Sequence, residues 1–193
     1  MPEHSASATN INAYPFLKSL SDKLADNSIV VVDIGGDLVW TIQSFNVKTG
    51  QKLISTFGNG AMGYSLPAAI GASFALNKKP IICISGDGGF QLNIQELQTI
   101  KHYNLPIKIF IMNNRSMGII KQFQDAYFNS NYYATTPEYG YSCPDFVKVA
   151  NAYGIEAFAI KTPSEINAGI EKILSYSGPI LCDVLIDTEQ KLI

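Results

Sequence analysis

Histidine is scarce in this 193-residue chain. The only two, His4 and His102, are too few for a histidine-based metal site or a serine–histidine catalytic pair. His4 sits in a small, polar N-terminal stretch, and His102 follows a helical pattern that reads as surface. The three cysteines, Cys83, Cys143 and Cys182, are far apart and odd in number. They form neither a zinc-ligand spacing nor a disulfide framework, so the expected compartment is a reducing cytoplasm. Charged residues make up only 16% of the chain, with a formal net charge of -2 and no lysine- or arginine-rich block, which argues against nucleic acid as a partner. No apolar run is long enough to span a bilayer, so no membrane partner is expected either. Met1 to Asn10 lacks the apolar core of a signal peptide. Residues 1–11 therefore read as a disordered leader or expression remnant, and residues 12–193 as one domain. There is no internal repeat and no low-complexity linker.

Apolar residues, at 47%, are ample for a single buried core. They fall into two alternating kinds of segment. Short β-branched runs occur at Ile29–Asp33, Ile81–Ser85, Ile107–Met112, Ile155–Ile160 and Ile180–Ile186, with a weaker one at Leu53–Thr56. Between them lie helical spacings: Phe16, Leu17, Leu20 and Leu24; Leu66, Ala69, Ile70, Ser73 and Phe74; Leu92, Leu97 and Ile100, ending near Asn104; Phe146, Val149, Ala150 and Tyr153, stopped at Gly154; and Ile166, Ile170, Ile173 and Leu174, stopped by Gly178-Pro179. Apolar strands separated by helices predict an α/β fold, a parallel sheet of about six strands with helices on both faces. Ligands of such folds bind at the carboxyl ends of the strands. Four segments rich in Gly, Asp and Asn stand there: Asp33-Ile-Gly-Gly-Asp37, Phe57-Gly-Asn-Gly60, Gly86-Asp-Gly-Gly89 and Asn113-Asn-Arg-Ser116. Turn chemistry alone would produce some of these, though not readily four in one sheet.

The sharpest signal is Gly86-Asp87-Gly88 followed, after 24 residues, by Asn113-Asn114. If the strands that they end are neighbours, Asp87 and Asn114 converge at one edge of the sheet. A carboxylate and an amide oxygen suit a hard divalent cation such as magnesium, which takes oxygen ligands at about 2.0–2.1 Å and shares itself with substrate phosphates. Two side chains, a backbone carbonyl, a water and two phosphate oxygens would complete an octahedron. Gly88 and Gly89 would let backbone N–H groups approach a phosphate, ahead of a helix whose N-terminus favours anions.

This pairing resembles the diphosphate and metal motif of thiamine-diphosphate enzymes. Three further segments resemble the acetolactate synthase (acetohydroxyacid synthase) large-subunit-like family: Gly60-Ala-Met-Gly-Tyr-Ser-Leu-Pro-Ala-Ala-Ile-Gly-Ala72, Ile34-Gly-Gly-Asp-Leu-Val-Trp40 and Pro144-Asp-Phe-Val-Lys-Val-Ala-Asn-Ala-Tyr-Gly154. The match runs from about Asn12 to the end and corresponds to the C-terminal third of a full-length member. The resemblance implies thiamine diphosphate and Mg2+ as cofactors. It implies Asp87, Asn114 and the carbonyl of Ser116 as metal ligands. Gly36, Asp37, Gly86, Gly88, Gly89, Gly118 and Ile119 would lie near the diphosphate. Gly60 would offer its carbonyl to the aminopyrimidine, and Met62 would be the apolar wedge that keeps the cofactor bent, so that it can remove its own C2 proton and act as electron sink for a 2-oxo acid. Taken alone, Met62 would be ordinary core packing.

The sequence also departs from that pattern. Gly36-Asp37 replaces a Gln-His pair that helps hold the diphosphate in acetolactate synthases, and an Asp there repels phosphate unless it points away or meets the metal or a water. Ile119 replaces a methionine, and Phe123 a tryptophan of the acceptor pocket. The family activates its cofactor with a glutamate from a pyrimidine-binding domain of a neighbouring subunit, and no segment here resembles that domain. Glu96 lies on a predicted helix, and Glu138, Glu156, Glu165 and Glu171 have no motif around them. The resemblance thus implies no catalytic residue in this chain, a pyrimidine-binding domain or subunit as partner, a homo-oligomer, and a chain inactive alone. From Ser116 to Pro144 the sequence opens on a helical pattern and turns Tyr-, Asn- and Thr-rich, which suits either a lid over the cofactor or an aromatic subunit contact.

The expected function is decarboxylation of a 2-oxo acid such as pyruvate and its ligation to a second carbonyl. The alternatives are a subunit of a split 2-oxo acid decarboxylase and a non-catalytic cofactor-binding or interaction module. A dinucleotide-binding Rossmann domain is the weakest choice, because Asp33-Ile-Gly-Gly-Asp-Leu-Val39 does not supply Gly-x-Gly-x-x-Gly.

Overall fold

The apolar runs become the strands of one parallel sheet in a computed structural model that describes residues 10–192. The strands are β1 (Ile29–Val32), β2 (Lys52–Ile54), β3 (Ile81–Gly86), β4 (Ile107–Asn113), β5 (Glu156–Ile160) and β6 (Ile180–Leu185). The helices are α1 (Ala13–Lys23), α2 (Gly36–Ser44), α3 (Ser65–Ala75), α4 (Asp87–Leu92), α5 (Leu97–Tyr103), α6 (Gly118–Tyr127), α7 (Phe146–Ala152) and α8 (Ile166–Ser175). Spatial order is β2-β1-β3-β4-β6-β5, every pairing parallel. No helix among the described residues is long and apolar enough to cross a membrane.

Both faces of the sheet are buried, which is why its central strands read as unbroken apolar runs. On one face Phe16, Leu17 and Leu20 of α1, Leu38 and Trp40 of α2, and Ile170 and Ile173 of α8 pack on Val30, Val32, Ile84, Phe110 and Val184. On the other, Leu66 and Ile70 of α3, Phe90 of α4, Leu97 and Ile100 of α5, and Phe146 of α7 pack on Val31, Cys83, Ile109, Ile111 and Leu181. Neighbouring residues such as Val31 and Val32 serve opposite cores, the period-two alternation of a strand.

Crossovers between parallel strands share one hand, so a connection that steps backward through the sheet must use the opposite face. The steps β1 to β2 and β5 to β6 run backward and carry α2 and α8 on the α1 face. The forward steps carry α3, α4, α5 and α7 on the other. Beyond the carboxyl ends, the chain leaving β1 and the chain leaving β3 therefore diverge and open a crevice between them. The chains leaving β4 and β5 diverge in the same way around β6.

Three expectations change in detail. The third predicted helix is two, α4 and α5, separated by a short turn of 3-10 helix at Ile94–Glu96; Asn93 breaks the path at φ -131°, and its amide donates instead to the Gly63 carbonyl at 2.7 Å. The weak strand at Leu53–Thr56 is the edge strand Lys52–Ile54, which ends as Ser55 turns its hydroxyl to the Asp33 carbonyl. Ile11, which the sequence places in the leader, is fully buried and bridges Ile186; its side chain fills the core beside α1, so it packs with the domain. The rest of that leader, residues 1–9, lies outside the described residues.

One buried side chain ties the crevice to the fold. Asp33, at the end of β1 and 1% exposed, accepts hydrogen bonds from the backbone N–H groups of Ile34 (2.9 Å), Gly63 (2.8 Å) and Ser65 (3.0 Å) and from the Ser65 hydroxyl (2.8 Å). It thereby fastens the 55–64 segment and the start of α3 to the sheet. A Cβ on Gly89 would lie 3.1 Å from that carboxyl group, so Gly89 is glycine to let α4 pass Asp33. Replacing Asp33 with Ala would leave several donors unsatisfied in the core. Asp33→Ala should lower unfolding free energy by about 3–5 kcal/mol in urea titrations; a loss under about 1 kcal/mol would mean that those donors find other partners.

Candidate functional site

A cleft of about 230 Å³ fills the crevice where the chains leaving β1 and β3 diverge. β3 and β4 are neighbours with Gly86 opposite Met112, so their next residues, Asp87 and Asn113-Asn114, emerge side by side. Every residue expected near the cofactor lines this one cleft: Gly36, Asp37, Gly60, Met62, Gly86, Asp87, Gly88, Gly89, Asn114, Ser116, Gly118 and Ile119. They come from four segments spread over more than eighty residues, and only the strand order brings them together.

Asp87 is 3% exposed. One carboxylate oxygen accepts from the Gly88 N–H at 2.9 Å and the other has no partner. Burial pushes its pKa up to about 7 against the opposing pull of the Gly88 N–H. Asn114 is buried, and its Oδ1 accepts from the Ser116 N–H at 3.3 Å. A Cβ on Gly118 would stand 2.6 Å from its Nδ2, so only glycine at the start of α6 leaves that amide in place. The Ser116 hydroxyl is buried without a partner.

An ionised Asp37 would repel phosphate unless turned away. It is held in the cleft wall between glycines: a Cβ on Gly35 would lie 2.7 Å from its Oδ1, and one on Gly86 3.5 Å. Burial first, and then the nearby Asp33, raise its pKa well above the usual carboxylate range, which favours the neutral acid. Its Oδ2 has no partner. Gly36 is explained by Trp40, whose ring edge would lie 2.9 Å from a Cβ there. Any side chain at this position would require the Trp40 ring to shift.

Met62 is not core packing. It is 36% exposed on the cleft wall, and with Met117 it closes over Gly88, where a Cβ would meet Met117 Sδ at 2.9 Å and Met62 Cε at 3.0 Å. Gly60 sits in the left-handed region at φ 60° and donates its N–H to the Thr56 carbonyl at 2.8 Å. Phe123 stands apart. It lies a turn further along α6 than Ile119, is 55% exposed, stacks on Tyr127, and does not line the cleft. No residue of α6 is buried.

Sequence reading held Ile34, Gly35 and Trp40 only as part of a resembling segment and missed Met112, Met117 and Ile120 among the lining residues, and Tyr141, which reaches this cleft from its neighbour. The hydroxyl of Tyr141 is buried 3.5 Å from a Cβ position on Gly88; it makes no well-aligned hydrogen bond, but it lies near enough to Asp87 that burial first, and then that carboxyl group, raise its pKa. Its loop carries no spacing that could have revealed this approach. Asp33 had a signal, since it is the first residue beyond a predicted strand.

The glutamates are accounted for elsewhere. Glu96 accepts from the Thr99 hydroxyl at 3.0 Å, Glu156 and Glu171 pair with Lys172 and Lys23, Glu165 caps the turn before α8, and Glu138 is exposed. None lines the cleft. Among the described residues, the buried side-chain polar atoms without partners are Asp37 Oδ2, Trp40 Nε1, Asp87 Oδ2, Ser116 Oγ, Thr136 Oγ1 and Tyr141 Oη. The first four belong to cleft residues. Buried polar groups are normally bonded, so this concentration suits a polar ligand or ordered water in the cleft.

Comparison with known proteins gives the family. Residues 33–184 match the family profile described as thiamine pyrophosphate enzyme, C-terminal TPP binding domain. The chain is 42% identical over 168 residues to the acetolactate synthase large subunit of Cyanidium caldarium, covering 87% of this chain and 28% of that protein. It is 37% identical over 171 residues to the acetolactate synthase isozyme 2 large subunit of Escherichia coli (strain K12), covering 89% and 31%. It is 38% identical over 166 residues to a probable acetolactate synthase large subunit of Methanococcus aeolicus, covering 86% and 27%. The chain spans about three tenths of the length of these relatives. Fold, cleft and sequence together make this chain a member of the thiamine pyrophosphate enzyme family, corresponding to its C-terminal thiamine-diphosphate-binding domain.

Proposed function

We propose that this domain is the diphosphate-binding half of an acetolactate synthase-like enzyme, which decarboxylates a 2-oxo acid such as pyruvate and joins it to a second carbonyl. The observation that carries the reading is the convergence of Asp87 and Asn114 at adjacent strand ends, with unpartnered buried oxygens around them. The donor set fits a magnesium diphosphate. Asp87, the side chain of Asn114 and the Ser116 carbonyl are hard oxygen ligands for Mg2+, which would share itself with the phosphates. Gly88, Gly89 and Gly118 keep side chains out of the cleft, and Met62, Met112, Met117 and Ile119 exclude water from it. In the neutral form favoured by its surroundings, Asp37 does not repel the diphosphate and can donate to it. Trp40 Nε1 and the Ser116 hydroxyl are the other free polar groups. When bound, thiamine diphosphate supplies the electron sink for decarboxylation and carbon–carbon bond formation.

A cleft of about 230 Å³ is below the roughly 300–1,000 Å³ of complete ligand pockets and has no glutamate in its wall. Both features support a half-site, closed by a pyrimidine-binding partner in an oligomer. The exposed aromatic face of α6, with Phe123 (55%) and Tyr127 (72%), lies beside the cleft mouth and suits that contact. Phe123 would border the acceptor only once the partner covers this helix.

Calorimetric titration of thiamine diphosphate into the chain should show magnesium-dependent binding. Asp87→Ala and Asn114→Ala should each weaken it by about 10²-fold or more. Undiminished magnesium-dependent binding in both variants would sink the metal assignment.

The buried acids also set a pH dependence. Asp87 at about 7, Asp183 at about 6 and the raised Asp37 all hold protons in the folded state that an unfolded Asp, at about 3.9, releases. The metal-free domain should therefore lose stability as pH rises from about 4 to about 7. Its melting temperature should be lower at pH 7.5 than at pH 5, and saturating magnesium and thiamine diphosphate should shrink the difference by favouring ionised Asp87. A melting temperature independent of pH in the metal-free protein would contradict the buried-acid account.

A further inference from the structure

The sheet has a second switch point, and a larger cleft lies in it. Beyond the ends of β4, β6 and β5, where the chains leaving β4 and β5 diverge to opposite faces, the surface sinks into a cleft of about 760 Å³. That is the size range of a small-molecule pocket, and its position is the place where open α/β sheets bind ligands. It adjoins the first cleft along Tyr141, which lines it and reaches Gly88, but has its own mouth: Asn113 faces it while the adjacent Asn114 faces the other.

Three cations from three segments line it: Arg115 after β4, Lys148 on α7 and Lys161 after β5. Lys148 is already engaged by Asp145, at 3.5 Å. Arg115 and Lys161 make no ion pair among the described residues, although each is close enough to Asp183 to favour its ionised form. Asp183 forms the floor, 7% exposed, and its carboxylate accepts from the Asn113 amide at 3.0 Å. Ion pairs on a protein rim are ordinarily worth little, but two uncommitted cations on either side of a concave site favour an anion between them. The arginine fork suits the oxygens of a phosphate in particular. The floor carboxylate has acceptor capacity left, so the rest of the ligand presents hydroxyl donors.

We propose that this cleft binds a small polyhydroxylated phosphomonoester, with Arg115 and Lys161 on the phosphate and Asp183 accepting from the hydroxyl groups. The site does not rest on the cofactor reading, since the Arg115 and Lys161 side chains and Asp183 have no part in the proposed diphosphate site. It does adjoin it: Asn113 Oδ1 accepts from the Arg115 N–H at 3.1 Å, so the side chain that holds Asp183 also shapes the turn that presents Asn114 and Ser116.

Glucose 6-phosphate, inorganic phosphate and glucose serve as probes, titrated into the chain while backbone amide resonances are followed. Glucose 6-phosphate should bind saturably, with a Kd on the order of 1 mM, and shift Arg115, Ala159 and Leu185. Arg115→Asn, which suits the left-handed backbone at φ 53°, and Lys161→Gln, at an exposed position, should each weaken it by about tenfold without changing the melting temperature. Glucose and inorganic phosphate should each bind more weakly. Three results would overturn the proposal: no saturable shift, shifts centred on Gly86–Gly89 instead, or variants that bind as the parent does. Phosphate alone binding as tightly as glucose 6-phosphate would overturn the role given to Asp183.

Discussion

The single hand of parallel-strand crossovers is the constraint on which this molecule rests. Because every connection must turn the same way, a chain that reverses its direction through the sheet must change faces. This one reverses twice, at β1 to β2 and at β5 to β6. Each reversal parts two outgoing chains above the carboxyl edge, and in each gap the backbone cannot be covered by its own loops. The cleft lined by Asp87 and Asn114 occupies the first gap and the larger cationic cleft the second. Without the reversal at β1, Asp33 and Asp87 would leave the sheet toward the same face and the cleft would close.

Within the first gap the chain accepts an electrostatic burden. Asp33, Asp37 and Asp87 are all nearly fully buried, and no cation is paired with any of them among the described residues. The burden is divided by environment. Asp33 is satisfied by four close donors and serves the fold, Asp37 is pressed toward neutrality, and Asp87 is left with a free oxygen and a pKa poised at about 7. Three identical side chains thereby take three roles, as buried carboxyl groups do when desolvation and hydrogen bonding differ around them. A divalent cation and a diphosphate would complete what the fold leaves open, so stability and ligand binding draw on the same groups.

The glycines show how closely the cleft is fitted. Gly36, Gly88, Gly89 and Gly118 would each place a Cβ within about 3 Å of a specific neighbour: Trp40, Met117, Asp33 and Asn114 respectively. Some of these glycines thus make room for protein rather than for ligand. Gly89 is the clearest case, since the phosphate approach expected of it coexists with a packing demand from Asp33. The same reasoning accounts for glycine at residue 36, where a Cβ would press on the Trp40 ring.

The sequence by itself determined the fold class, most element boundaries and which polar and glycine residues stand at the carboxyl ends of the strands. Those depend on local signals: β-branched runs of strand length, apolar residues at helical spacing, and acidic, amide and glycine residues directly after strands. The pairing of Asp87 with Asn114 was legible because both follow strands and their spacing allows those strands to be neighbours. Tertiary structure alone decided which strands are neighbours, and hence that Gly36, Met62, Asp87 and Asn114 share one wall while Phe123 does not. It alone turned Asp37 inward between two glycines, brought Tyr141 against Gly88, and set Arg115 and Lys161 across one cleft. No residue pattern records these approaches, because each is a contact between segments whose separation is fixed by strand order rather than by distance along the chain.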